Sequence, residues 1–287
     1  VLTSDRIELA LESAVHRAGD AGSPPLLASA LHYAVFPGGH RIRPNLCIAV
    51  AAACGAPFPR ETYAAAAAVE LLHCASLVHD DLPSFDNADT RRGKPSVHAQ
   101  FGEPIAVLTG DALIVLAFET LAREVAPSRL APAIAIVAGA VGAPGGIVAG
   151  QAWECEAAVP LADYQRAKTG ALFVGATMSG AASAGVDPEP WRMLGDKIGE
   201  AYQVADDLRD VLCTAEELGK PIGQDAARTR PNAAAQLGIA GAKSRLETLV
   251  AAASASIPDC PGRAALCKAI ELQTRALFPR QLTQVAA

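Results

Sequence analysis

Alanine sets the limits on this fold. Runs such as Tyr63–Val69 and Ala131–Ala140 favour helix on intrinsic propensity, while the β-branched and aromatic clustering of strands is scarce. The chain has 287 residues, of which 51% are hydrophobic, which is ample for a large buried core. Disorder is excluded, and the expected class is all-α. No internal repeat, Gly/Ser linker or shift of composition marks a boundary, so one helical domain over residues 1–287 is the simplest organisation. The formal charge of −6 comes without a long basic run, which argues against a nucleic-acid surface or an anionic-membrane patch. Any bound anion must then be caught by a local basic cluster. Seven cysteines, an odd number with no Cys-x-x-Cys, fit buried reduced thiols in a cytoplasmic protein. The first residues are amphipathic and mixed in charge, unlike a signal peptide. The apolar runs Ile105–Leu121 and Leu130–Val148 are broken by Gly, Asp or Pro and are short for a membrane span, so a soluble protein is expected.

Against this apolar background one stretch breaks local preference. From His73 to Pro95 the chain starts as apolar helix, ends in Asp80, Asp81, Asp86 and Asp89, and runs at once into Arg91, Arg92 and Lys94. The spacing predicts a central helix over Glu61–Leu82, stopped by Pro83, with Asp80 and Asp81 at the mouth of whatever cavity the helix lines. Carboxylates there sit against the negative end of the helix dipole, a placement that costs stability and points to function. Asp80, Ser76, Leu72 or His73, and Val69 share one face at helical spacing. Small Ala75 and Ser76 leave the wall open one turn below Asp80. The plainer reading of this face is ordinary core, with His73 a satisfied buried histidine.

A second helix, Trp191–Leu212, repeats the theme with Gln203, Asp206, Asp207 and Asp210. Asp206 and Asp210 stack at i, i+4, with Gln203 expected on the same face, and like charges so placed call for a cation between them. Two acidic clusters on apolar helices can face each other across a bundle cavity. Oxygen donors alone select Mg²⁺ or Mn²⁺, and Mg²⁺ prefers a few carboxylates completed by phosphate oxygens. Basic residues Arg43, Arg91, Arg92, Lys168 and Lys220 would complete the charge balance. An apolar cavity beneath such a rim implies a ligand with a charged head and a long apolar tail. The turn Phe36–Pro44 offers His40, Arg41 and Arg43 behind two glycines, either as donors to a phosphate or as solvated residues of a plain helix–helix turn.

Asp80-Asp81-x4-Asp86 followed by Arg91-Arg92-Gly-Lys-Pro, together with Gln203-x2-Asp206-Asp207-x2-Asp210, resembles the motif pair of the trans (E)-isoprenyl diphosphate synthases. Gly38-Gly39-x-Arg41-x-Arg43-Pro44, His73, Lys168-Thr169-Gly170 and Gly219-Lys220-Pro221 match further markers of that family in its order, over roughly residues 30 to 230. The four residues between the acidic pair and Asp86, with small Ala75 and Ser76 before it, look like bacterial and plant geranylgeranyl diphosphate synthases.

The resemblance implies an antiparallel helix bundle around a deep central cavity, assembled as a homodimer for which the apolar helix Ile105–Leu121 is a plausible interface. It also implies Mg²⁺-dependent condensation of isopentenyl diphosphate with dimethylallyl, geranyl or farnesyl diphosphate, using three Mg²⁺ per site with Mn²⁺ as an alternative. On its terms Asp80, Asp86 and Asp206 ligate metal directly, and Asp81, Asp207 and Asp210 do so directly or through metal-bound water. Arg91, Lys168, Lys220, Gln203 and Thr169 hold the allylic diphosphate. Gly39, His40, Arg43, His73 and Arg92 belong to the isopentenyl diphosphate side. Position 40 departs from the family, which usually has Lys there, whereas a histidine is mostly neutral near pH 7. Leu72, with Phe118, is the expected floor that stops the growing tail. A farnesyl or longer-chain synthase, and a non-catalytic partner subunit of another synthase, are the alternatives. A terpene cyclase of the same metal type is disfavoured, because its second motif would carry Asn, Ser or Thr, and Glu at ligand spacing.

Overall fold

The computed structural model describes residues 3–20, 22–36, 38–56, 59–158, 160–212 and 233–277. The described chain is almost wholly helical, as its alanine content dictates, and the all-α class is borne out. It divides into two compact units, one made of Val1–Ala138 and Met178–Pro188, the other of Gly139–Thr177 and Glu189–Ala287.

The first unit is built on α1 (Thr3–Ala18), α2 (Pro25–Val35), α3 (Ile42–Ala53), α4 (Pro59–Asp80), α5 (Val97–Phe101) and α6 (Glu103–Glu124), with most of α7 (Pro127–Val141). α4 is its axis. Ala64 to Val69, Leu71, Leu72, Cys74 and Ala75 are all buried, so this helix is apolar on every side and must be surrounded. α6 lies along it and buries Ala106, Gly110, Leu113, Leu116, Ala117 and Leu121. Among the described residues α6 is the one helix long and apolar enough to cross a bilayer by length and composition, and it is longer than the run read from sequence. Here its buried stripe is part of the core.

At its start α4 is pinned by Glu61, which accepts from the Ala126 N–H (3.3 Å) and from Arg129 Nε (2.6 Å). Arg41 precedes α3 in the left-handed region (φ 48°), and its buried guanidinium meets Glu8 at 2.8 Å and Glu70 at 2.7 Å. One arginine thereby ties α1, α3 and α4 together.

Between α4 and α5 the chain forms a small hairpin. β1 (Thr90–Arg91) pairs antiparallel with β2 (Lys94–Pro95), and the two turn residues, Arg92 (φ 55°) and Gly93 (φ 76°), both take positive φ. That is the turn whose twist suits a two-residue hairpin. Arginine in place of the usual Asn or Asp hides it from a sequence reading.

The second unit holds α8 (Ile147–Ala152), α9 (Leu161–Gln165), a π-helical turn (Arg166–Gly170), the first part of α10 (Ala171–Ser183), α11 (Arg192–Leu212), α12 (Ala233–Ala255) and α13 (Arg263–Leu277). α11 packs along α12, which breaks at Gly238 (φ 68°). Cys47 and Cys74 are buried thiols whose pKa burial pushes up to about 12. The expectation of buried cysteines stops with these two: Cys54, Cys260 and Cys267 are half-buried and Cys155 is exposed, none of them in a disulfide, while Cys213 lies outside the described residues.

Candidate active site

The acidic rim is shaped by how α4 ends. The helix stops at Asp80, two residues earlier than Pro83 alone would require, and the chain folds back on it. The Asp86 N–H donates to the Asp80 carbonyl (2.9 Å) and the Ala88 N–H to the Asp81 carbonyl (3.1 Å), with Asn87 at φ 47°. Carbonyls left over at a helix C-terminus need such partners. Satisfying them brings the backbone of Asp86 back to that of Asp80.

The two aspartates of the pair have separate surroundings. Asp80 is half-buried, whereas Asp81 is 2% exposed and takes Arg91 Nε at 3.1 Å and Nη2 at 2.5 Å. Burial pushes the Asp81 carboxyl up, and the guanidinium opposes that shift. Arg91 arrives on β1, so the hairpin delivers the positive charge that a helix C-terminus crowded with acids requires.

Two turns down α4, guanidinium groups crowd around His73. Arg43 Nη1 lies 3.4 Å from His73 Nε2. Gly39 admits Arg92, since a Cβ there would stand 2.9 Å from the guanidinium carbon. His73 is held well below the ordinary histidine range, first by burial and then by Arg43, Arg92, Arg91 and Arg41. It is therefore the neutral imidazole, able to donate one hydrogen bond within a positive field.

An unfolded histidine takes a proton near pH 6.5 and the folded one does not, so its contribution to stability is complete above that pH and is lost as pH falls below it. The wild-type Tm is expected to fall more steeply than that of His73→Gln between about pH 7 and 5.5. Parallel curves would mean that His73 protonates freely in the fold.

The other basic residues of this region divide by what they touch. Arg41 is withdrawn from phosphate binding, because Glu8, Glu70 and the Val35 carbonyl occupy it. Neither alternative read for it, phosphate donor or solvated turn residue, holds for this buried arginine. Lys94 donates to the Tyr33 (2.7 Å) and Phe36 (2.9 Å) carbonyls and closes the hairpin onto α2. His40 is exposed. On the wall below the rim Leu72 is 1% exposed, Ala75 is buried, and half-buried Ser76 gives its hydroxyl to the His73 carbonyl at 2.8 Å. Phe118 is half-buried on α6.

In the second unit the Lys168-Thr169-Gly170 segment is the π-helical turn, gripped by two glycines. A Cβ on Gly150 of α8 would stand 2.4 Å from the Lys168 nitrogen, and one on Gly199 of α11 would stand 2.7 Å from Gly170 Cα. Only a bare backbone permits such an approach. Thr169 Oγ1 donates to Gln203 Oε1 (3.0 Å), Gln203 Nε2 to Asp207 Oδ1 (3.0 Å), and the Ala233 N–H to Asp207 Oδ2 (2.7 Å). Gln203 thus turns toward Asp207 rather than joining the expected stripe of Asp206 and Asp210, a correction that the i, i+4 hydrogen bond explains.

The pattern of the first motif repeats. The second aspartate of the pair, Asp207, is 2% exposed and bound to protein, while Asp206 and Asp210 are half-buried. Lys168 Nζ meets Glu154 at 2.6 Å, and Glu154 also accepts from Tyr164 (2.6 Å) and Gln151 (3.2 Å). These three were not singled out from sequence. Their signal was a Gly-Gln-x-x-Glu run, polar after an apolar, glycine-rich helix. Lys220 lies outside the described residues.

The donor chemistry fits a hard cation. Asp80 and Asp86 at one rim, and Asp206 and Asp210 on α11, offer carboxylate oxygens only. Among the described residues no three His, Cys, Asp or Glu side chains converge into a preformed metal cage. Mg²⁺ suits such partial sets, since it binds through one or two carboxylates together with substrate phosphates.

Residues 24–261 match the family model described as polyprenyl synthetase. The chain is 53% identical to a geranylgeranyl diphosphate synthase of Cereibacter sphaeroides, over 96% of this chain and 97% of that protein. It is 56% identical to one of Rhodobacter capsulatus, over 93% of each. A solved structure of a geranyltransferase from Helicobacter pylori, complexed with magnesium and isoprenyl diphosphate, superposes with a TM-score of 0.78 at 28% identity, over 95% of this chain and 98% of that one.

Proposed function

The chain belongs to the polyprenyl synthetase family, and from that membership we propose that it is a Mg²⁺-dependent prenyltransferase. It joins isopentenyl diphosphate head to tail (1′–4) to an allylic diphosphate, with geranylgeranyl diphosphate as the end product, as the names of its relatives support. The observation that carries the reading is the pairing on α4 of a carboxylate rim with a cluster of guanidinium groups around His73. One supplies oxygen ligands for Mg²⁺ and the other supplies donors for a diphosphate.

Asp80 and Asp86, and on α11 Asp206 and Asp210, would hold Mg²⁺ together with substrate oxygens, while Asp81 and Asp207, expected as ligands directly or through water, instead hold Arg91 and Gln203 in place. Bound Mg²⁺ would supply charge stabilisation to the departing diphosphate. Arg91, Lys168, Thr169 and Gln203, joined by Lys220, bind the allylic diphosphate and stabilise its charge as the C–O bond ionises. Gly39, His40, Arg43, His73 and Arg92 hold isopentenyl diphosphate, with neutral His73 donating a hydrogen bond. The apolar wall of α4 keeps water from the allylic cation until the isopentenyl double bond attacks. The released diphosphate takes the final proton. Leu72 and Phe118 stop the tail, and Leu72→Ala is expected to lengthen the product by one or more five-carbon units; unchanged length would remove Leu72 from the floor.

The assembly is a homodimer in the cytoplasm. In support, α6 leaves Val107, Leu108 and Val115 exposed at 41%, 51% and 65%, an apolar face that a second copy would cover. The deciding experiment is product analysis with Mg²⁺, isopentenyl diphosphate and, separately, dimethylallyl, geranyl or farnesyl diphosphate. A geranylgeranyl product is expected from each primer. A farnesyl end point would overturn the chain length, and no condensation by the folded protein would overturn the activity.

A further inference from the structure

We infer that Glu154 is the positioning residue of Lys168, ordering its ammonium for the allylic diphosphate and staying satisfied by Tyr164 and Gln151 when that ammonium engages substrate. The inference rests on the function proposed above. Glu154 stands in the short 3-10 turn Trp153–Cys155 after α8, with its side chain 19% exposed and that of Lys168 16% exposed. Oε1 accepts from Lys168 Nζ and from the Tyr164 hydroxyl, both at 2.6 Å, and Oε2 accepts from Gln151 Nε2 at 3.2 Å.

Two properties follow from this arrangement. A lysine side chain is long and flexible, so a partner that orders it beforehand lowers the entropic cost of gripping a phosphate. A half-buried carboxylate that loses a cation partner is penalised, but this one retains two neutral donors on separate elements, one from α8 and one from α9. Lys168 can therefore lean toward the diphosphate without leaving an unsatisfied anion behind. The backbone beneath it is fixed independently by the Gly150 contact, so what Glu154 adds is the direction of the side chain.

The test compares wild type, Glu154→Ala, Glu154→Gln, Lys168→Ala and the Glu154→Ala/Lys168→Ala double variant. Steady-state kinetics give KM separately for geranyl and isopentenyl diphosphate, and calorimetry gives the affinity for inorganic diphosphate with Mg²⁺. Glu154→Ala is expected to raise KM for geranyl diphosphate about tenfold and to leave that for isopentenyl diphosphate within about twofold. Glu154→Gln, whose carbonyl oxygen still accepts from Lys168, should keep most of the wild-type value. The double variant should be no worse than Lys168→Ala, as a residue acting through another must behave.

Equal rises for both substrates, additive losses in the double variant, or an unchanged Glu154→Ala enzyme would each overturn the inference. Should Glu154→Ala not fold, Tyr164→Phe replaces it, with an expected rise of about two- to threefold for geranyl diphosphate alone; no rise overturns the inference. Calorimetry needs no turnover. If the wild type condenses no primer, the functional reading falls, while diphosphate affinity lost in Glu154→Ala and not lost further in the double variant still upholds the Glu154–Lys168 link.

Discussion

Asp80→Asn is expected to lower turnover by about 10²- to 10³-fold while leaving the thermal transition close to that of the wild type. Asp80 is half-buried at the end of α4, and its carboxylate stands against the unfavourable end of the helix dipole. Removing that charge relieves the unfavourable dipole contact, and on the proposed function what is lost is an oxygen ligand for Mg²⁺. Its neighbour should behave differently. Asp81 is buried against Arg91, so Asp81→Asn removes the guanidinium's hydrogen-bonded counter-charge, leaving only the fields of Asp80 and Asp86, and should cost about 1–3 kcal/mol of stability, a figure reduced because Arg91 is 30% exposed. Activity would fall there too, through displacement of Arg91. Kinetics and thermal denaturation of the two variants side by side check the division of labour: equal destabilisation by both would show that Asp80 is structural as well.

That division was not legible in the sequence, although most of what surrounds it was. Alanine runs fix helix by propensity, so α4, α6 and α11 lie within a few residues of where composition and prolines put them. The acidic motifs declared themselves by breaking local preference. What a string of letters cannot convey is which carboxylate of an Asp-Asp pair turns inward, because neighbours in a helix point about 100° apart and the partner that decides the matter arrives from elsewhere. For Asp81 the partner comes on a hairpin whose Arg-Gly turn lacks the usual signature; for Asp207 it is an N–H at the start of α12. Arg41 escaped both of its sequence readings, phosphate donor or solvated turn residue, for the same reason. Glu8 and Glu70 claim it from α1 and α4. Glu154 was overlooked because a lone Glu after a glycine-rich helix gains meaning only once Lys168 lies 2.6 Å away.

The glycines around the π-helical turn allow the second large effect to be argued from geometry alone. Gly150→Ala places a methyl group 2.4 Å from the Lys168 nitrogen, 2.5 Å from its Cα and 2.8 Å from the Ala167 carbonyl carbon. All three are backbone atoms, so no side chain can swing aside, and α8 and the turn must part by about an ångström to regain van der Waals contact. Overpacking of this kind costs about 1–3 kcal/mol, which a domain of this size can bear. The turn carries both Lys168 and Thr169, however, and Thr169 is held in line with Gln203 and Asp207. A displacement of about 1 Å in groups that position a reacting substrate is worth about 10²-fold in rate. Gly150→Ala should therefore fold with a modestly lowered Tm and lose about 10²-fold in kcat/KM for the allylic diphosphate. Gly199→Ala, pressing on Gly170 from the side of α11, should act in the same direction. Near-wild-type kcat/KM in a folded Gly150→Ala protein would mean that the turn tolerates displacement and that its backbone does not set the aim of Lys168.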